Sequence, residues 1–452
     1  MTAVEHPARH GADGAARPPA RVPFPVVDEV SRHCVQEAEP ETVHIEVHLP
    51  GRLDRDRLRA AFAGAFDRHP RVLMREAPGP WYRRRYEWEL TADPDVDVVT
   101  FRPPGPDALR GARTRSLAEA PPLSAAPPIR VEVVEPPDDG TGREGGVGTV
   151  LLLTVNHTAL DGPACLRILA TAAELYGGRD NSPAAPPVRP AAPAAGPLDA
   201  DAPSPWSPPA RVAHGSPGPF PAAPGNGMLL TELAVPHRPQ DSPYTVNDQL
   251  MAATALTIAH WNREHGARPR PLRITMPVDD RTRGTDMPIG NGTRLVEVPF
   301  APEELDAARM SELLRRTAAR TRALKSLARP QLGHGAALLT APIVPVAWRA
   351  ALTRGLRRTA APWMSTTLLS NIGRIPYPLD FGAGAGPARA VWFSAPARMP
   401  RGLTVTTAST AGRLHVALRW SRSLLGDGDG ARLRELFAHY LHTTAEAGEV
   451  SP

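Results

Sequence analysis

The chain has 452 residues, more than one typical domain, and 42% of them are hydrophobic, which excludes an intrinsically disordered protein. A formal charge of +5 favours acidic or phosphorylated partners mildly and says nothing about fold. Two cysteines far apart, Cys34 and Cys165, exclude a disulfide framework and a CxxC metal site.

Residues 1–22 are charged and rich in Ala, Arg and Pro, without the apolar core of a signal peptide, and read as a flexible tail. No uncharged apolar run reaches the roughly 18 residues of a membrane span. A cytoplasmic protein without a membrane partner is the expectation. "TVHIEVHLPGRLD" (42–54) alternates apolar and polar residues, the pattern of a half-buried strand. Leu58, Phe62 and Phe66 recur at helical spacing over 55–69, and Pro70 stops that helix at His69. "VLMREA" returns as a strand, and "PWYRRRYEWEL" (80–90) reads as an exposed strand pair, with a binding patch as the alternative.

"GGVGTVLLLTV" (145–155) is a continuous apolar run, as in a strand covered on both faces. A helix over 163–178 follows, with proline in its first turn, Leu166, Leu169, Ala173 and Tyr176 on one stripe, and two glycines at its end. Residues 179–226 are rich in Pro, Ala and Gly and read as a linker, separating a first lobe (23–178) from a second (227–452). In the second lobe, 228–235 reads as a strand and 245–262 as a helix with Asn247 as N-cap. Strands over 271–281 and 291–300 and a helix over 302–328 come next. Two strands over 402–420 turn at Ala411-Gly412, and an amphipathic helix over 430–446 closes the chain.

Between the apolar strand and its helix lies "TVNHTALDG" (154–162). His157 emerges at the carboxyl end of the strand, where α/β sheets bind ligands, beside the positive end of the next helix. Alone, H-x-x-x-D-G has only three fixed positions. On those positions alone, Asp161 as an N-cap and His157 as a turn residue is the favoured explanation.

Other segments change that balance. "NHTALDG" resembles the HHxxxDG signature of the condensation-domain superfamily, which includes nonribosomal peptide condensation domains, wax-ester and polyketide-associated acyltransferases, chloramphenicol acetyltransferase relatives and the plant BAHD enzymes. In the same order along the chain, "LDRDRLRAAFAGAFDRHPRVLMR" (53–75), "TVNDQLMAATALTIAHW", "MPVDDRTR" (276–283), "IGNGT" (289–293) and "LLSNIGRIPYPLDFGAG" (368–384) also resemble segments of that superfamily. The resemblance covers nearly everything outside the tail and linker.

It implies an α/β (α+β layered) fold: two chloramphenicol-acetyltransferase-like lobes in a V-shaped pseudo-dimer, with a tunnel between them. An acyl thioester enters from one side and an acceptor from the other. His157 stands at the position of the general base, for which a neutral imidazole is suited. Asp161 is turned away from substrate and paired with an arginine that matches Arg281, with the N-cap role as rival. Gly162 lets a substrate approach the backbone closely, and the helix beyond it offers N–H groups to an oxyanion. Ser370 and Asn371 line the tunnel or merely end a strand. Asn156 stands beside the base as a tunnel-lining or structural residue, where the superfamily usually has a first histidine. Asp380 and Gly382 read as structural, since Ala383 replaces the tryptophan of the BAHD pattern. Cys165 reads as a buried core thiol.

The implied activity is transfer of an acyl or aminoacyl group to a small-molecule amine or alcohol, in specialised-metabolite biosynthesis. The donor is a phosphopantetheine thioester on an acyl or peptidyl carrier protein or on coenzyme A. No bound cofactor, no metal and no nucleic acid is expected, and the protein is expected to be a monomer. A non-catalytic docking module that recruits a partner enzyme is the alternative. Arg83–Arg85 and "RGLRR" (354–358) read as solvated surface, or as contacts to an acidic carrier or coenzyme A phosphates.

Overall fold

The computed structural model describes residues 20–135, 148–184, 203–204, 206–215, 225–282, 284, 286–327, 331–332 and 335–447. Most of the proposed tail and much of the proposed linker lie outside these residues. The strands in chain order are Ala20–Pro23 (β1), Thr42–Leu49 (β2), Met74–Glu76 (β3), Glu87–Leu90 (β4), Val99–Phe101 (β5), Ile129–Val134 (β6) and Thr149–Asn156 (β7). Then come Asn226–Ala234 (β8), Leu272–Asp279 (β9), Thr293–Phe300 (β10), Thr367–Arg374 (β11), Ala390–Ser394 (β12), Leu403–Thr410 (β13) and Arg413–Ser421 (β14).

They form two large mixed sheets with helices packed on them, so the α/β class holds. The first has the order β12-β2-β7-β6-β5, the second β10-β9-β11-β13-β14-β8, and β1, β4 and β3 make a small third sheet. Each large sheet has its own apolar core. One strand crosses the division drawn in the sequence: β12, far beyond the linker, pairs antiparallel with β2 of the first sheet. Its five residues are too few to reveal a sheet by pattern.

β7 is buried along its whole length between β2 and β6, as its unbroken apolar run requires. β2 is not half-buried: His44 and Glu46 are as enclosed as Ile45 and Val47. The helix Ala108–Ala118 covers its polar face and brings Arg113, which donates to both Glu46 carboxylate oxygens, at 2.8 and 2.5 Å. Burial raises the Glu46 carboxyl, but Arg113 and His48 outweigh it and hold it down to about 2. Polar alternation therefore marks an internal ion pair here, not solvent.

The helix Arg55–Arg68 ends at His69 as proline demands. The helix Val246–Glu264 is capped by Thr245, whose N–H donates to Asp248 Oδ2 (2.7 Å); Asn247 lies inside the first turn and is not the cap. Within 80–90 only β4 is a strand, preceded by a turn that exposes Trp81 and Tyr82. β13 and β14 meet at Ala411 and Gly412, both with positive φ, the geometry of a two-residue hairpin. In "DFGAG", Gly382 lies against Gly177, where a Cβ would stand 2.6 Å from the Gly177 oxygen, so this segment locks the end of the helix Gly162–Gly177.

Candidate active site

β7 delivers the motif. Beyond Asn156 the backbone makes one tight turn: Ala159 and Leu160 both donate to the Asn156 carbonyl (3.0 and 3.3 Å), and the helix Gly162–Gly177 begins at once. The His157 N–H donates to the Glu41 carbonyl at 2.8 Å, tying the turn to the start of β2. His157 is half-buried. Its Nδ1 lies 2.9 Å from the Leu160 carbonyl oxygen. A carbonyl can only accept, so Nδ1 carries a proton, and in the neutral imidazole the lone pair is then on Nε2. That tautomer is the one a general base needs.

Asp161 is 2% exposed and serves both roles between which its sequence context left a choice. Oδ1 accepts the Ala164 N–H at 3.0 Å, the N-cap bond. Oδ2 accepts from Arg281 Nη2 at 2.7 Å and from the Gly292 N–H at 2.8 Å. A carboxylate has two oxygens, and each role uses one. Arg281 is fully engaged: it also bonds Asp279 (2.8 Å) and the Pro288 and Gly290 carbonyls (both 3.2 Å). A Cβ on Gly292 would stand 2.4 Å from the Arg281 side chain. The motif of the first sheet is thus clasped by the loop between β9 and β10 of the second.

This cap alters the oxyanion expectation. Pro163 has no N–H, Ala164 gives its own to Asp161 Oδ1, and Cys165 gives its own to the Asp161 carbonyl. The Gly162 N–H is what this turn has to offer a substrate oxygen. The atoms nearest to a Cβ at Gly162 would belong to Phe393 and Ile372, at 3.6 and 3.8 Å, ordinary contact distances. Packing within the protein therefore does not require glycine there.

Asn156 is 8% exposed and spends its carboxamide on the backbone: Nδ2 donates to the Pro121 carbonyl (3.0 Å) and Oδ1 accepts the Thr158 N–H (3.1 Å). Its place in this structure is a brace rather than a lining. Ser370 and Asn371 lie on β11, half-buried, and a register shift follows Asn371. Asn371 accepts from Thr407 (3.0 Å) and donates to Asn247 (3.2 Å), so its amide is largely occupied. Ile372, next along β11, lies beside Gly162, its side chain 3.8 Å from where a Cβ would stand. Cys165 is fully buried, and burial pushes its thiol well above the ordinary range, which removes it as a nucleophile.

Two residues were missed. Asn291 Nδ2 donates to the His157 carbonyl (3.2 Å), the Thr158 carbonyl (2.9 Å) and Asp28 Oδ1 (2.9 Å), so it holds the histidine's own backbone. The quoted "IGNGT" contained it, without a sign of its target. Asp28 sits on the helix Val26–His33, buried, and also accepts from Trp88 Nε1 at 2.8 Å. Burial raises its carboxyl to about 6, against the pull of Asn291, Trp88, Arg71 and His157. Nothing in the sequence around Asp28 separates it from a surface helix residue.

No protein-family model matches the chain. The chain is 31% identical over 389 residues to the uncharacterized protein Rv2305 of Mycobacterium tuberculosis, covering 79% of this chain and 84% of that one. Among solved structures, it is similar to TRI3 trichothecene 15-O-acetyltransferase from Fusarium sporotrichioides (TM-score 0.61, 11% identity, 94% of this chain and 95% of that one). It is also similar to the condensation domain of the Monacolin K polyketide synthase MokA (0.58, 12%, 94% and 98%). A third is the starter condensation domain of rhizomide synthetase RzmA, a mutant solved in complex with C8-CoA (0.56, 15%, 91% and 91%). The chain belongs to one family with the mycobacterial Rv2305 protein, and its fold is that of the condensation-domain and acyltransferase superfamily.

Proposed function

We propose that the protein is an acyltransferase, moving an acyl or aminoacyl group from a phosphopantetheine thioester to an amine or alcohol, with His157 as general base. The observation that carries this reading is the bond from His157 Nδ1 to the Leu160 carbonyl, which leaves Nε2 of the neutral imidazole as an acceptor. The acceptor hydroxyl or amine gives its proton to Nε2 as it attacks the thioester carbonyl. The developing oxyanion takes the Gly162 N–H. Collapse of the intermediate expels the thiolate, which recovers the proton from the imidazolium. Asp161, Arg281 and Asn291 touch no reacting atom; they fix the turn. The superfamily resemblance supports a tunnel between two lobes and a donor on a carrier protein or coenzyme A. A role in specialised metabolism belongs to the same reading.

The test is turnover of a panel of acyl-coenzyme A and acyl-carrier thioesters with amine and alcohol acceptors. His157→Ala should lower kcat by roughly 10²–10⁴ and leave the thermal transition in place. A full rate in that variant would remove His157 from the chemistry. Absence of turnover across the panel, with clean binding of partner proteins, would favour a docking module instead.

A further inference from the structure

Away from the motif, three arginines gather around Ser365, just before β11, and the Met399–Arg401 stretch before β13. Arg401 Nε donates to Ser365 Oγ (3.1 Å) and its Nη2 to Thr275 Oγ1 (3.4 Å). Arg211 Nη1 reaches the Ser365 and Pro400 carbonyls, both at 3.4 Å. Arg357, from the "RGLRR" cluster, reaches the Met399 carbonyl at 3.4 Å. Among the described residues none of the three has an acidic group within ion-pair distance. The acids nearby are engaged: Glu41 pairs with Arg398, Glu297 lies 3.7 Å from Arg273, and Glu39 accepts from the Met399 N–H and Ser421. All three arginines are half-buried, so N–H groups remain reachable at long, weak internal bonds. Burial and then the repulsion of Arg398 push the Arg401 guanidinium down to about 10, against the pull of Glu297, and Arg357 and Arg211 add to the repulsion; burial lowers Arg211 too.

Massed cations without an ion-pair partner are costly for a protein to hold, and an arriving anion relieves that cost. The position adds the link to the site. Ser365 precedes β11, and Ile372 of the same strand touches the Gly162 position. That run is roughly 23 Å at strand rise. An extended pantetheine arm, equivalent to between four and five residues, reaches roughly 15 Å, the same order as that span.

We propose that Arg401, Arg211 and Arg357 form an anion site for the phosphate that the donor's pantetheine arm carries. The proposal rests on the acyl-thioester reading above and adds where the donor is gripped. Coenzyme A and carrier-bound arms share this phosphate.

The experiment is calorimetric titration of the full chain with phosphopantetheine, pantetheine, coenzyme A and dephospho-coenzyme A. Phosphopantetheine should bind at least tenfold tighter than pantetheine. Arg401→Gln should abolish that preference, Arg401→Lys should keep part of it, and coenzyme A and dephospho-coenzyme A should bind alike. Ligand-free Arg401→Gln should melt no lower than the parent, because a repulsive group has gone; a purely structural arginine would lower the transition. Arg211→Gln should reduce the same preference and serves if the first variant does not fold. Equal binding of phosphopantetheine and pantetheine overturns the anion site while leaving the acyltransfer reading intact. A preference only for coenzyme A over dephospho-coenzyme A overturns it too, since another phosphate is then read. If neither pantetheine compound binds, the donor reading fails with it. A holo-carrier protein against coenzyme A then tells which source delivers the arm.

Discussion

Replacing Asp161 separates the two functions that its oxygens perform. Asp161→Asn can still offer Oδ1 to the Ala164 N–H, but it presents an amide or a neutral oxygen to Arg281 and Gly292. Breaking a buried ion pair costs about 3–5 kcal/mol. Arg281 retains Asp279 at 2.8 Å, so the lower end applies, about 3 kcal/mol. Asp161→Ala also loses the cap, which adds about 1 kcal/mol. Arg281→Met leaves two carboxylates facing one another, and its cost shares the same lost bond. In a double-mutant cycle of Asp161→Asn with Arg281→Met, the combined loss should fall short of the sum by about 2 kcal/mol. The assay is urea unfolding followed by tryptophan fluorescence, comparing midpoints at constant slope. Additivity within about 0.5 kcal/mol would refute the clasp, and equal costs for Asp161→Asn and Asp161→Ala would refute the cap.

Two glycines should behave oppositely: Gly292→Ala drives a Cβ into Arg281 and should lower Tm by several degrees, whereas Gly162→Ala should fold normally and lose rate only if substrate passes there; scanning calorimetry with turnover decides both. Asn156→His must replace a bridge between the Pro121 carbonyl and the Thr158 N–H, so a loss of about 1–3 kcal/mol is expected in urea unfolding, with kcat within about tenfold of the parent; inactivity in a folded variant would give Asn156 a catalytic part. His33, His44 and His69 are held down to about 4 by burial, so the folded state binds fewer protons than the unfolded one, and their stabilisation is present above pH 6.5 and lost as pH falls toward 4. Asp28, raised to about 6, acts with the opposite sign, its contribution fading as pH rises from 3.8 to 6. A Tm against pH series should therefore decline on the acid side, and more steeply in Asp28→Asn than in the parent; a flat acid limb in both would contradict these burials.

The sequence by itself determined the elements whose pattern is local. β7 is an unbroken apolar run, the helix after it opens with proline and closes with two glycines, and the β13–β14 hairpin turns where Ala411-Gly412 require positive φ. It also paired Asp161 with Arg281, because collinear segments carry information that one short motif lacks. Only the tertiary structure decided what each side chain meets. β2 alternates polar and apolar residues, and whether its polar face sees water or Arg113 depends on a helix more than sixty residues away in the chain. β12 is too short to announce its partner, and its place in the first sheet comes from long-range pairing. Asp28, Asn291 and the Arg211–Arg357–Arg401 cluster join residues from segments with no common periodicity. Asp161 shows the physical reason most plainly: a sequence position permits several hydrogen-bond partners, and the partners that the fold brings within 3 Å select among them.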